Sequence, residues 1–285
     1  MNGRWYILAA AILWGTTGTS QAFAPQGATP LAIGALRLIV GGLVLLALAL
    51  WKTDVRRVGR WHWPTAVAAG LSTAMYQVTF FAGVKLTGVA VGTLIAIGSA
   101  PIFAGILGAL FQRDRLTYRW YVATALAVVG NTLLVGAGDV SMMANKVGIG
   151  LALGAGLSYA VFTLVNKQLI QTQPSDLAMA MSFCLGAIIL APLLLFVDTR
   201  WIATRDGVGV VLHLGVIATG LSYALFGRGL RTISVAETAT LSLTEPLTAA
   251  ALGLLILGEQ LTPMAFTGAI LLLAGLTVLT VQPRR

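Results

Sequence analysis

Apolar runs of about 20 residues follow one another so closely along this chain that little lies between them, a pattern that suits a lipid bilayer. Ten runs fit, in the approximate bounds 5–24, 29–51, 63–84, 87–111 and 119–136, then 147–168, 177–197, 208–229, 233–257 and 263–281. Breakers fill the short connections: Pro25-Gln26-Gly27, Thr87-Gly88, Gly136 to Asn145, Pro174-Ser175-Asp176 and Thr262-Pro263. No room is left for an extramembrane domain. Hydrophobic residues make up 58% of the chain and charged ones 9%, against about a quarter charged in soluble domains. The expected fold class is an all-α membrane protein with ten transmembrane helices.

The chain also repeats itself. PIFAGILGALFQRDRLT, from Pro101 to Thr117, returns as PLTAAALGLLILGEQLT from Pro246 to Thr262, with seven of 17 positions identical at a shift of 145. The same shift lays Gly41 and Leu45 on Gly186 and Leu190, Leu126, Gly130, Thr132 and Leu134 on Leu271, Gly275, Thr277 and Leu279, and Trp14 on Tyr159. Around Lys85 the better shift is 146, pairing Lys85, Val89 and Ala90 with Arg231, Val235 and Ala236. A one-residue indel is therefore expected before the match returns to 145. Two units follow, residues 1–136 and 146–285, each of five helices. Because five is odd, the second unit enters the bilayer upside down relative to the first. Inverted repeats of this kind build many secondary transporters, with a site near the midplane between the halves.

Lys and Arg set the orientation. The side that holds both termini collects thirteen: Arg4, Lys52, Arg56, Arg57, Arg60, Arg113, Arg115, Arg119, Lys167, Arg228, Arg231, Arg284 and Arg285; the other has four, Lys85, Lys146, Arg200 and Arg205. Both termini are thus expected in the cytoplasm. The net charge of +9 is accounted for by topology, so no nucleic-acid partner is expected. Arg4 followed by an apolar run ending at Gln21-Ala22-Phe23-Ala24 has the outline of a signal peptide. Removing it would destroy the Trp14/Tyr159 pairing, and it reads better as the first spanning helix. Cys184 is the only cysteine, which leaves no disulfide framework and no cysteine metal site.

Polar side chains are expensive in lipid and are expected to face inward. In helix one, Trp14, Thr17, Gly18 and Gln21 share a face by three-and-four spacing, suited either to lining a pathway or to close helix approach. Helix six offers Tyr159, Phe162, Thr163 and Asn166, helix three Tyr76, Gln77 and Phe80, and helix eight Thr219, Ser222, Tyr223 and Phe226. Together they suggest a mixed aromatic and polar substrate pocket, although each tyrosine hydroxyl alone fits a structural hydrogen bond equally well. Trp5, Trp51, Trp61, Trp63, Trp120 and Trp201 lie at helix ends, where interfacial anchoring suffices. Three charges are deep: Arg37, expected to organise the outer end of the first repeat; Glu245; and Glu237, expected to pair with Arg228 or Arg231. Glu245 could couple protons, or donate a hydrogen bond to the carbonyl that Pro246 leaves free. His213 reads as a hydrogen-bonded packing residue. Two histidines and no cysteine cluster predict no metal, and no cofactor is expected. Pro101 and Pro246 occupy equivalent mid-helix positions, and both helices are expected to bend there around a central cavity.

Trp14-Gly15, Arg37, Pro101, Glu245-Pro246 and Gly258-Glu259-Gln260-Leu261 resemble the pattern of the EamA family in the drug/metabolite transporter superfamily, which includes aromatic amino acid exporters. The resemblance covers essentially the whole chain. It implies a multi-pass carrier of the bacterial inner membrane that works as a monomer, contacts lipid, and exports amino acids, aromatic and other neutral ones, or similar small metabolites by alternating access. The first repeat departs from the pattern, with Arg113-Asp114 where the second has Gly258-Glu259. An intramembrane enzyme or lipid-modifying protein would need a paired acid and base, a metal cluster or an activated nucleophile, and a channel a ring or filter signature. Neither pattern stands in the sequence, and other metabolite classes stay open.

Overall fold

The computed structural model describes residues 3–52, 58–136 and 145–281. Arg56, Arg57, Arg284 and Arg285 of the charge count lie outside the described residues. The described residues form helices and turns with no strand. The helices are α1 Gly3–Ala22, α2 Pro30–Lys52, α3 Trp63–Thr87, α4 Val89–Gln112, α5 Tyr118–Val135, α6 Lys146–Thr172, α7 Ser175–Phe196, α8 Arg205–Leu230, α9 Val235–Ile256 and α10 Pro263–Thr280. Each lies on one of the apolar runs of the sequence. Eight of them are long and apolar enough to cross a membrane. The other two are α1, diluted by its polar Gly15 to Gln21 segment, and α5, which carries Arg119 and Asn131. Large apolar side chains such as Leu43, Leu71, Ile106, Ile188 and Ile270 cover the outside, while alanines and glycines fill the inside. That is the arrangement expected when the surrounding solvent is as apolar as leucine and helices associate by close packing. The chain is a multi-pass membrane protein.

Helix packing follows a pattern. α3 and α4 pack on α6, and α8 and α9 pack on α1; α2 packs on α8, and α7 on α3; α2 meets α7, α5 meets α10, and α4 meets the first part of α9. Exchanging each helix for the one five places along maps this set of contacts onto itself. The match reaches individual atoms. A Cβ added at Gly41 would stand 2.6 Å from Thr219 Cβ and 3.1 Å from the Gly215 carbonyl, and one at Gly186 would stand 3.1 Å from Thr73 Cβ and 3.4 Å from the Gly70 carbonyl. These are the same positions in the two halves of the chain, shifted by 145 or 146.

The change of shift between Gly70/Gly215 and Thr73/Thr219 has a local cause. α3 is regular through this stretch, whereas α8 is π-helical over His213–Leu221. A π turn accommodates one extra residue inside a helix, which raises the shift from 145 to 146. The residue is removed again in α9, whose regular winding stops at Leu241 and resumes at Thr244. There Leu243 N donates to Thr240 O and Glu245 N to Ser242 O, tight bonds of the three-residue kind. α4 remains continuous through Pro101 at the matching place.

Several expectations change here. The two prolines do not act alike: Pro101 sits in an unbroken α-helical stretch, while Pro246 follows an actual interruption. The carbonyl that Pro246 leaves without its usual donor is that of Ser242, and the backbone N–H of Glu245 takes it at 3.0 Å, so the Glu245 side chain is not needed for it. Trp120 and Trp201 are buried against protein rather than exposed; Trp120 fills the space over Gly105, where a Cβ would come within 2.6 Å of its ring. Trp5, Trp51 and Trp63 are exposed, as anchors would be.

The glycine crossing can be tested. Gly41→Ala is expected to lower thermal stability by about 1–3 kcal/mol through overpacking, measured by unfolding in detergent. Gly18→Ala, with nothing within 4 Å of the added carbon, is expected to leave the melting temperature unchanged or slightly raised.

Candidate functional site

The close crossings bring side chains from both halves around one void. Gly41 and Thr219 each stand one turn from a polar or aromatic group, Arg37 on α2 and Tyr223 on α8, and Thr73 stands in the same relation to Gln77 on α3. A cavity of about 310 Å³, including space open to solvent, lies among Arg37 and Leu38 of α2, Ser72, Thr73, Tyr76 and Gln77 of α3, Tyr159 and Phe162 of α6, Phe183 of α7, and Tyr223 of α8. Spacing of three and four puts the α3 residues on one face.

The walls are an aromatic network. Tyr223 sits 4.2 Å from Phe183 and 4.9 Å from Trp14, ring centre to ring centre; Trp14 meets Phe226 at 5.5 Å, and Tyr76 stacks on Phe80 at 5.6 Å. Polar atoms in the walls mostly have partners. The Trp14 indole donates to Ser222 Oγ at 2.9 Å, and Ser222 Oγ donates onward to Ala218 O. Ser242 Oγ donates to Thr238 O, so the Tyr159 hydroxyl donates to Ser242 Oγ at 2.7 Å. His213 Nε2 is 2.8 Å from Thr16 Oγ1, the packing role expected of it. Two ring hydroxyls differ. Those of Tyr76 and Tyr223 have no hydrogen bond among the described residues, and the buried Thr219 hydroxyl beside the wall has none either.

Of the residues singled out in the sequence, Tyr76, Gln77, Tyr159, Phe162 and Tyr223 line the void. Trp14 and Phe80 stand behind them, and Gln77 Nε2 reaches Gly34 O only at 3.5 Å. Thr17 and Gln21 are half-buried on α1 and do not line it. Asn166, Ser222 and Phe226 are fully buried. The Asn166 amide is engaged at both ends, donating to Phe162 O and accepting from Ser182 Oγ at 2.7 Å. These three hold the walls rather than face the space. Pro101 and Pro246 do not line it either. Phe183, Leu38, Ser72 and Thr73 were missed. Phe183 lies in a plain apolar run with no signal, but Ser72 and Thr73 lie one turn from Tyr76 and Gln77 and were available to the same helical spacing.

The charges also fall differently. Glu237 pairs with Arg4 at 2.8 Å, not with Arg228 or Arg231; Arg228 instead reaches Asp176 at 3.0 Å. The α1 to α9 packing brings Arg4 to Glu237, a contact 233 residues apart that helical spacing cannot show. Arg37 is on the cavity wall with its Nε buried and unpartnered, and no ion pair or hydrogen bond among the described residues holds its guanidinium. No partner among the described residues thus accounts for the role expected of Arg37, organising the outer end of the first repeat.

At the end of the bundle that holds Arg4, the helix termini lock together. α4 ends with Arg113 at φ 56° and Asp114 N bonded to Gly108 O, and α9 ends with Gly258 at φ 69° and Glu259 N bonded to Gly253 O. Both close with an amide bonded to the carbonyl six residues earlier, just past a left-handed residue, so Arg113-Asp114 and Gly258-Glu259 share this closing geometry despite their different residues. Asp114 Oδ2 accepts from Val235 N at 3.2 Å, at the start of α9. Burial pushes the Asp114 carboxyl above its ordinary range, and the Val235 amide and Lys167 pull it back. Lys167 Nζ donates to Leu230 O at 2.7 Å and Ile233 O at 2.8 Å. Glu259 at the other end is exposed, and so is Val89, the counterpart of Val235.

A multi-pass helical protein with a polar and aromatic void between its halves has the architecture of a carrier. The chain matches the EamA-like transporter family over residues 1–136 and 146–281 and belongs to it; it is a membrane transporter. It is 45% identical over 280 residues to the uncharacterized transporter YwfM of Bacillus subtilis (strain 168), covering 98% of this chain and 94% of that one. It is 28% identical to the threonine/homoserine exporter RhtA of Escherichia coli (strain K12), covering 97% and 90%. A solved crystal structure superposes with a TM-score of 0.85 at 20% identity, covering 98% of this chain and 96% of that chain; it bears on the fold alone.

Wall and lining residues separate experimentally. Ser222→Ala leaves the buried Trp14 indole N–H without its acceptor and is expected to cost about 1–3 kcal/mol, read as a lower melting temperature in detergent. Tyr76→Phe removes a hydroxyl that has no internal partner. It is expected to melt within about 0.5 kcal/mol of wild type while altering transport.

Proposed function

We propose that this chain exports amino acids across a bacterial inner membrane by alternating access, through ten spans built as two inverted five-helix repeats with both termini in the cytoplasm. On this reading the described conformation is closed on the cytoplasmic side and open toward the outside. The observation that carries it is the unequal state of two equivalent helix ends. Asp114 is engaged with the start of α9, whereas its counterpart Glu259 is exposed, and so is Val89 at the start of α4. An inverted repeat makes these the inner and outer versions of one contact, so the protein closes one gate and opens the other by exchanging the conformations of its halves. Lys167 and the Arg4–Glu237 pair add to the closed end.

The substrate assignment rests on the cavity and on the relatives. Its walls are aromatic with a few polar groups, the mixture that suits a small amphipathic metabolite, and RhtA is named for two amino acids. Counterflow in proteoliposomes tests it: internal unlabelled amino acid is expected to accelerate uptake of the labelled one. If none of the twenty proteinogenic amino acids shows such exchange, the assignment fails.

Topology and gating have separate tests. Cysteines replacing Arg115 and Arg200 are expected to react with impermeant reagent from opposite faces; reaction from the same face removes the inverted arrangement. A disulfide between cysteines at Val89 and Glu259 is expected to form faster with transported substrate present and to stop transport until reduced. Formation at the same rate with and without substrate speaks against the outer gate.

A further inference from the structure

We propose that Arg37 anchors the carboxylate of the transported molecule and is the only charge that does, so that small carboxylates with an apolar side chain are accepted whether or not they carry an α-ammonium group. The inference rests on the transport reading above. It adds the residue that recognises the substrate and the chemical class admitted, which extends past amino acids to their deamino counterparts.

Packing leaves Arg37 facing the cavity. Gly34, Arg37 and Gly41 share one face of α2 by three-and-four spacing. A Cβ added at Gly34 would stand 2.6 Å from the Phe81 ring, and one at Gly41 would stand 2.6 Å from Thr219 Cβ. Protein therefore closes this face a turn before Arg37 and a turn after it, and Arg37 itself lines the cavity. A long basic side chain commonly escapes lipid by stretching along its helix to the interface; here Phe81 and Thr219 occupy the face on either side. The Arg37 Nε is buried without a partner. Among the described residues the ion pairs are Arg4–Glu237 and Arg228–Asp176, so neither neutralises the guanidinium. An uncompensated charge within a membrane-spanning helix is costly and points to a function.

The rest of the wall selects the kind of anion. Arg37 carries the only formal charge among the described residues that line the cavity. A guanidinium presents paired N–H donors that match a carboxylate. Phe162 and Phe183 give apolar surface for a side chain, which a compact, strongly hydrated anion such as phosphate would not use. The Ser72 and Thr73 hydroxyls both donate to Ala69 O, at 2.9 and 2.8 Å, and a hydroxyl has a single proton to give. What they have left to offer is lone pairs, neutral acceptors that tolerate an ammonium group without demanding one. With no acidic side chain on the described wall, a ligand without the ammonium strands no charge, whereas a ligand without the carboxylate leaves Arg37 unsatisfied.

The test uses the full-length protein in two formats, thermal stabilisation in detergent and counterflow in liposomes. The probes are the twenty proteinogenic L-amino acids, their deamino acids, which lack the ammonium, their methyl esters, which lack the carboxylate, and inorganic phosphate. Within the best-binding set, the wild type is expected to hold amino acid and deamino acid within about threefold of each other and the ester at least about tenfold more weakly. A deamino acid that falls further, or an ester that falls less, overturns the anchor. Phosphate is expected to give no stabilisation; stabilisation equal to that by the carboxylates also overturns it. Arg37→Gln is expected to weaken both carboxylates by at least about tenfold and leave the ester unchanged, and Arg37→Lys to keep part of the discrimination. If Arg37→Gln does not fold, the wild-type order decides. Amino-acid exchange with the wild-type order retained in Arg37→Gln overturns the anchor and leaves the transport reading intact. Stabilisation by carboxylates that Arg37→Gln abolishes, without exchange of any amino acid, supports the anchor and removes the amino-acid transport reading. If no probe binds or exchanges, both fall.

Discussion

Close approach of backbones is the interaction on which this molecule depends. In lipid there is no hydrophobic gain from bringing two helices together, so association rests on packing and on interhelical hydrogen bonds. The α2–α8 and α7–α3 crossings use it directly: Gly41 lies against Thr219 and the Gly215 carbonyl, and Gly186 against Thr73 and the Gly70 carbonyl. Arg37 is one turn from Gly41, Tyr223 one turn from Thr219, and Gln77 one turn from Thr73. The contacts that hold the bundle together thus also set the width of the cavity and decide which groups face it.

Two single-residue defects shape the region around it. The π stretch in α8 takes in one residue, and the break in α9 before Pro246 gives one back. Both fall in the second half, while α3 and the Pro101 stretch of α4 stay regular. The interruption puts Ser242 where its hydroxyl accepts from Tyr159, and it uses the Glu245 backbone to satisfy the Ser242 carbonyl. The Glu245 side chain is thereby left uncommitted. Irregular backbone at membrane depth is tolerated where protein or a water-filled space surrounds it, and here it stands next to Tyr159, which lines the cavity.

Resemblance between the halves and difference between their states belong together. Asp114 and Glu259 sit on the same helix-end geometry, but one closes on a neighbouring helix and the other stands open. The basic Arg113 and the Arg4–Glu237 and Lys167 contacts gather at one end, so the two ends of the bundle are held by different bonds.

The helices were legible in the sequence because the bilayer makes length and hydrophobicity nearly sufficient to define them, and the helix contacts that recur at a shift of 145 or 146 because glycine, proline and the acids recur at nearly that spacing. The aromatic and polar faces of α3, α6 and α8 could be read by the same helical period. Which members of those faces open onto space was decided by tertiary structure alone. Asn166 and Ser222 are spent on Ser182 and Trp14, Phe183 enters from an unmarked apolar run, and Arg4 reaches Glu237 from the far end of the chain. Arg37 looks in sequence like any charge needing a partner; only the packed helices leave it facing a cavity with none among the described residues. The physical reason is that sequence period fixes direction around one helix axis, while partner choice depends on where a second axis crosses it, and that crossing is set by glycine contacts whose partners lie well over a hundred residues away.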